Sequence, residues 1–505
     1  MMRDKILKIA VLGTEKSFFT EEDQETLKQW QIPENASPEQ IFLQSALIYS
    51  KMQQAGFLPQ KLDAQILPAT PESRPAIGAK SMFHLGLMLG GTHHQVLPEF
   101  IELVDVYQKR VDFQFLPNLL DWGVAKTDIQ TSLSRILGQR GKWLSRLNDQ
   151  WEYLYEVLEP SQVDWEMSSF KERKPYLRSL RITDPPQATE LLEKTWDQEE
   201  TNHKVGFLKI FAENLSLADE PFLEKLRTER RKEVRALVFQ LLAKIPQSRY
   251  NHQLRQYLDK HIDIQSNLIK NAIDIKFPHE FDREQKDLGV VEKSIIAKGG
   301  QKANWLAQII VKVHPDFWLD KFQKKPDEIV NLIQKSEWNE LLIGTISQAA
   351  VFHGDQLWLS AFFDQTHNKH NLNLPELIQA LEETYLNRLV EKEIKQGVEA
   401  LYHNKTLFLL LEYSQTKLSD PNTRHIIKLY QELVRKENRK GSYYQWQTKN
   451  LLKKLGLRIN PDLLPEIREG WTENLENGDH WFADITEFLR LLEFRKEVKD
   501  ALKND

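Results

Sequence analysis

Glycine, arginine and lysine meet in Gly138-Gln139-Arg140-Gly141-Lys142, a grouping of the kind that cradles phosphate. A P-loop needs four residues between its glycines and a Ser or Thr after the lysine to hold magnesium. Here only Gln139 and Arg140 intervene, and Trp143 follows Lys142. The stretch stands among helical segments with no strand leading into it, so it reads as a structural turn. Its spacing still sets two cations, Arg140 and Lys142, near the start of a helix anchored by Trp143. Free backbone N–H groups there could help them hold an anion. Surface charge beside a buried aromatic is the plainer reading.

Two further basic groups invite a partner. Arg227, Arg231 and Arg235 are spaced four apart, which would line one helix face. Like charges so placed repel by a few tenths of a kcal/mol per pair. Their grouping therefore predicts an acidic neighbour, Glu220 or Glu224 from the adjacent helix, or an external partner. From Arg424 to Arg458 there are ten Lys/Arg against two Glu, with Tyr430, Tyr443, Tyr444 and Trp446 interleaved. Phosphate pairing by Lys453 and Lys454 and base stacking on these aromatics could grip single-stranded nucleic acid. A run of acids follows directly, Asp462, Glu466, Glu469, Glu473, Glu476 and Asp479, and would compete with phosphate. The segment reads first as a solvated face or protein-contact surface, with nucleic acid as the alternative.

Other chemistry finds no foothold. His93-His94, with His84 nearby, lacks a carboxylate at matching helical spacing and reads as loop histidines after Gly90-Gly91. No HExxH, GxSxG or GxGxxG motif is present, so no catalytic, cofactor or metal residue is assigned. The chain has no cysteine, which excludes disulfides, Cys-ligated zinc and thiol nucleophiles.

Composition limits the elements that must carry these residues. The 505 residues are 41% hydrophobic and 28% charged, with 73 acids against 68 bases and a net charge of −5. That is ample for a large core and excludes a globally basic nucleic-acid binder. Glycine (20) is scarce, which argues against a turn-rich all-β fold. With neither a secretory signal nor a membrane-length apolar run, the chain reads as soluble and cytoplasmic.

Apolar spacing predicts an all-α fold. Val234, Leu237, Val238, Leu241, Leu242 and Ile245 follow one helical stripe, and no segment alternates strongly enough to predict a strand. Prolines fall in first helical turns, after Ser37 (a capping box with Gln40), Asp184 and Asp420. Helices come in pairs, 186–196 with 203–215 and then 221–226 with 231–245, starting about 35 residues apart, a HEAT-like period. Such pairs cannot cover their own apolar faces, so stacked antiparallel pairs in a HEAT-like α-solenoid are expected. Gly138-Gln139-Arg140-Gly141-Lys142-Trp143-Leu144 also recurs as Gly300-Gln301-Lys302-Ala303-Asn304-Trp305-Leu306, which suggests two related halves. The expected organisation is an N-terminal helical region (1–115), two repeat halves (116–280 and 281–418) and a C-terminal helical region (419–505). Trp143, Trp196, Trp305 and Trp338 are expected to pack, each indole N–H finding a backbone partner.

The chain resembles a bacterial family known only as a domain of unknown function. The resemblance rests on four phrases: Leu12-Gly13-Thr14-Glu15-Lys16, the Gly-x-Arg-Gly-x-Trp-Leu of 138–144, Leu215 to Glu224 with Lys232 to Arg235, and Leu491-Leu492-Glu493-Phe494-Arg495. It transfers no catalytic residue. Genes of the family often stand beside those of SWIM-type zinc-finger proteins, MoxR-type AAA ATPases and von Willebrand factor A proteins. By resemblance, that implies a chaperone-like system in which a helical scaffold meets a protein partner. The expectation is a non-enzymatic scaffold or adaptor needing no cofactor.

Overall fold

In a computed structural model, the structure describes residues 2–33, 35–54, 68–126, 128–148, 150–151, 153–154, 164–267, 270–366, 372–402, 405–437, 445–472 and 480–505. Tyr443 and Tyr444 lie outside the described residues. The fold is all-α, with helices from Met2–Leu12 to Phe482–Asn504. The chain divides into two compact units, Met1–Pro68 and Ala69–Asp505.

In the first unit, helices Met2–Leu12, Gln24–Gln29 and Pro38–Gln54 accompany the buried residues Ile6, Ile9, Leu27 and Ile32. The capping box forms as its spacing predicts. Ser37 N–H donates to Gln40 Oε1 at 3.1 Å, and Gln40 N–H donates to Ser37 Oγ at 3.3 Å. Gly13 ends the first helix at φ +83°, a conformation that favours glycine. Thr14 Oγ1 then donates to Glu39 at 2.9 Å.

The second unit holds two apolar clusters. The larger runs from Trp165 to Leu492 and is built by successive helices packing on near neighbours. Phe170–Thr183 packs on Pro185–Thr195 and Thr201–Phe211, which packs on Lys232–Ala243; farther on, Thr406–Tyr413 packs on Gln445–Leu455. Asp184 caps Pro185–Thr195 by accepting from Gln187 N–H at 3.1 Å. At Asp420-Pro421 the cap falls one residue earlier, where Ser419 Oγ accepts from Asn422 N–H at 3.4 Å. Pro175 stands inside Phe170–Thr183, outside the first-turn rule that the other starts follow.

A small sheet departs from the expectation of helices alone. Strands Ile262–Asn267 and Lys270–Ile275 pair antiparallel, with Ile262 opposite Ile275 and Ile264 opposite Ile273. The signal is the Ile-Asp-Ile alternation, repeated at 262–264 and 273–275 and too short to stand out beside helical stripes. Ile262, Ile273 and Ile275 are buried while Asp263 faces solvent, which is the two-residue period of a half-buried strand.

The smaller cluster gathers Leu85, Phe100, Leu116, Leu133 and their neighbours between Ile77 and Leu154. It is completed by the last helix, Phe482–Asn504, through Leu491, Phe494, Val498 and Leu502. The same helix gives Ile485, Phe488 and Leu492 to the larger cluster. Arg495 fixes the junction: it pairs with Glu99 at 2.5 and 2.6 Å and donates to the carbonyls of Gly456 (2.5 Å) and Ile459 (2.7 Å).

Candidate functional site

The helix start at 138–142, which could have held an anion, meets a carboxylate of the protein itself. Gly138 opens the helix Gly138–Ser145 at φ +68°, and the Glu72 carboxylate accepts from Gln139 N–H at 2.8 Å and Arg140 N–H at 2.9 Å. These are the helix-start donors that a foreign anion would have used. A Cβ on residue 138 would stand 2.3 Å from Glu72 Oε2, so glycine makes room for the carboxylate. Arg140 is exposed, with its guanidinium 3.8 Å from the Phe113 ring centre. Lys142 is half-buried.

The three arginines do not share a helix face. Arg227 lies in the short 3-10 turn Leu226–Thr228, Arg231 immediately precedes the next helix, and Arg235 lies within it. The turn between them breaks the four-residue period. Arg227 has one of the two acidic neighbours expected, Glu224 at 2.9 Å, and also donates to Gln253 (3.1 Å) and Asp287 O (2.6 Å). Arg235 folds back onto the carbonyls of Glu229 and Arg230, and Arg231 is exposed. The other expected acid, Glu220, accepts from Arg249 N–H instead. Glu229 accepts from Lys204 (3.1 Å), Trp196 Nε1 (3.3 Å) and Arg230 N–H (2.8 Å). Burial raises the pKa of this carboxyl, but these donors outweigh burial and hold it below the usual carboxylate value.

In the basic segment, acids from neighbouring helices engage four of the cations. Arg424 pairs with Glu466 at 2.7 Å, Lys449 with Asp484 at 2.8 Å, Lys453 with Glu487 at 2.8 Å, and Lys454 with Glu412. Arg458 is turned inward onto Thr416 O (2.7 Å), Leu411 O and Ser414 Oγ (each 2.6 Å). Trp446 is 68% exposed.

Of the histidines after Gly90-Gly91, His93 lies in the turn and His94 opens the short 3-10 helix His94–Val96. His93 has φ 51°, and His94 accepts from Trp122 Nε1 at 3.1 Å while its Nδ1 lies 3.1 Å from Met88 O. Among the described residues no group of three His, Asp or Glu could hold a metal ion. Of the four tryptophans expected to pack, Trp196 and Trp305 are buried, while Trp143 and Trp338 are half-buried. Trp305 donates to the carbonyl of Glu292 at 2.9 Å, but Trp196 meets a carboxylate rather than backbone. Trp318, Trp358, Trp471 and Trp481 bury indole nitrogens without a partner among the described residues.

Sequence reasoning missed one titratable group. His353 Nε2 lies 3.0 Å from Lys312 O, and its ring meets His314 at 4.9 Å, with His314 Nδ1 2.9 Å from Asp316. Burial pushes His353 down to about 4 and Lys312 down to about 8. Lys312 Nζ donates to Gly289 O at 3.3 Å and lies over the Phe239 ring. A lone lysine and two histidines 39 residues apart carry no linear signal.

The fold defines an all-α protein. The chain belongs to a family of unknown function, DUF5691, whose pattern it matches over residues 5–502. No curated protein and no solved structure matched it. The stretch from Leu215 to Glu224 is a structural lock. Ser216 and Asp219 form a capping box, and Asp219 holds the fully buried Arg181 at 2.6 and 2.8 Å. No described helix is long and apolar enough to cross a membrane.

Proposed function

We propose that the protein is a non-enzymatic scaffold or adaptor, a HEAT-like α-solenoid of stacked antiparallel pairs that binds a protein partner. The observation that supports this is the serial packing of the larger cluster, in which each helix covers the apolar face of near neighbours. Such stacks offer long surfaces and suit binding better than chemistry. By resemblance, the partner is a MoxR-type AAA ATPase, a von Willebrand factor A protein or a SWIM zinc-finger protein, in a cytoplasmic chaperone-like system. The nucleic-acid alternative is disfavoured because Lys453 and Lys454 are already engaged by carboxylates. Crosslinking and affinity capture of the tagged chain from its native cells is expected to recover one such protein in stoichiometric amount. Repeated recovery of the chain alone would remove this reading.

A further inference from the structure

A groove of 870 Å³ opens between helices Ala79–Leu89 and Phe482–Asn504. The second helix lines it with Glu497, Asp500, Ala501 and Asn504, the i, i+3, i+4, i+7 stripe of one helix face, and Asp505 follows. Three carboxylates thus enter the lining against a single cation, Lys80. Asp505 accepts from Gly78 N–H at 2.8 Å, a neutral donor that leaves its charge in place. Glu497 is exposed and without an ion pair among the described residues. Lys496, Lys499 and Lys503 fall on the next stripe of the helix, outside the lining. Lys499 pairs there with Asp462, and Lys496 stands 3.9 Å from Asp500 at the edge.

The facing helix adds an aromatic ring and a buried imidazole. Phe83 is 65% exposed on the groove wall. His84 lines the groove too, yet it is only 8% exposed and its Nδ1 has no partner among the described residues. Native folds pair nearly all buried polar atoms, so an unpaired imidazole on a groove wall points to a ligand. Burial holds His84 below its usual pKa although Glu497 acts the other way, which leaves a neutral ring able to accept from an N–H. Inside the fold the same groups hold Arg181, whose guanidinium lies 4.5 Å from the Phe211 ring centre and bonds the Asp219 carboxylate at 2.6 Å. A guanidinium stacks on a ring by its face and donates to carboxylates from its edge.

We propose that this groove is the docking site for an arginine side chain on a basic segment of a partner protein. The guanidinium stacks on Phe83, donates to Glu497 and Asp500, and meets the His84 imidazole as a further acceptor. Both walls are helices, so little ordering is lost on binding. The proposal rests on the scaffold reading and adds the place and chemistry of the contact.

Phage-displayed random peptides of about 12 residues, selected against the full chain, test it. Binders that also hold to the double variant Glu497→Gln with Asp500→Asn are discarded, after its melting temperature has been checked against wild type. The remaining winners are expected to carry arginine among few acids. In fluorescence anisotropy, citrulline in place of that arginine keeps the shape without the charge and should weaken binding about tenfold. Phe83→Ala is expected to weaken it about threefold to fivefold. Lys80→Gln removes the cation of the lining and should tighten binding, a gain that damage to the fold would not produce. The site is overturned by winners without arginine, by no winner surviving the discard, by citrulline binding as well as arginine, or by weaker binding to Lys80→Gln. Spermine that raises the melting temperature of wild type alone, when no peptide survives, would assign the groove to a free polyamine and overturn the protein partner. Capture from native cells separates the two levels. An unchanged partner yield with the double variant overturns the site alone, whereas no partner with wild type overturns the scaffold reading and the site with it.

Discussion

His353 is held neutral inside the fold: burial pushes it down to about 4, outweighing the hydrogen bond to Lys312 O that acts the other way. In the unfolded chain a histidine titrates near 6.5. Between those values the unfolded state binds more protons than the folded one, so stability falls as pH drops from about 6.5 towards 4. Urea unfolding across that window is expected to show a loss on the order of 3 kcal/mol from this residue. His353→Gln retains a donor for Lys312 O and should flatten the slope; an unchanged slope would assign it to other groups. What was legible at this scale was local. Ser37 found Gln40 and Asp184 found Gln187 N–H because partners three residues apart are fixed by helix geometry. Glu72 reaching Gln139 was not legible, since nothing in spacing or periodicity links residues 67 apart.

At the scale of elements, the phrase 215–224 shows how one short helix start secures two layers. Arg181 is fully buried and relies on the Asp219 carboxylate together with the carbonyls of Glu213 (3.2 Å) and Asn214 (2.8 Å). Asp219→Ala removes the counter-charge and leaves the guanidinium buried, which is expected to cost about 3–5 kcal/mol in thermal or chemical denaturation. A loss below about 1 kcal/mol would mean that water or a repositioned acid replaces the carboxylate. The helices themselves were readable from apolar stripes because a helix face repeats over three or more turns. The hairpin at 262–275 was not, because a few alternating residues cannot compete with that signal. Likewise, the bracing of Val291 and Ile296 by Gln308 and Asn304 carries no periodic signal.

Across the whole molecule, the decisive contacts join residues far apart along the chain. Glu99 and Arg495 are 396 residues apart, beyond anything hydrophobic periodicity can connect. Arg495→Met keeps an aliphatic stem but leaves Glu99 and the carbonyls of Gly456 and Ile459 without their donor. A loss of about 3 kcal/mol is expected, with limited proteolysis cutting first within 69–154. Cutting spread evenly along the chain would contradict that order. The smaller cluster therefore depends on Leu491, Phe494, Val498 and Leu502, supplied by the final helix. A ribosome, moving from the amino end, emits Leu85 and Phe100 long before the segment that seals them. At ordinary elongation rates the interval is on the order of tens of seconds. Throughout that time the nascent chain carries an unsealed greasy patch, an opening for chaperones to hold it and for proteases to discard it when translation stalls.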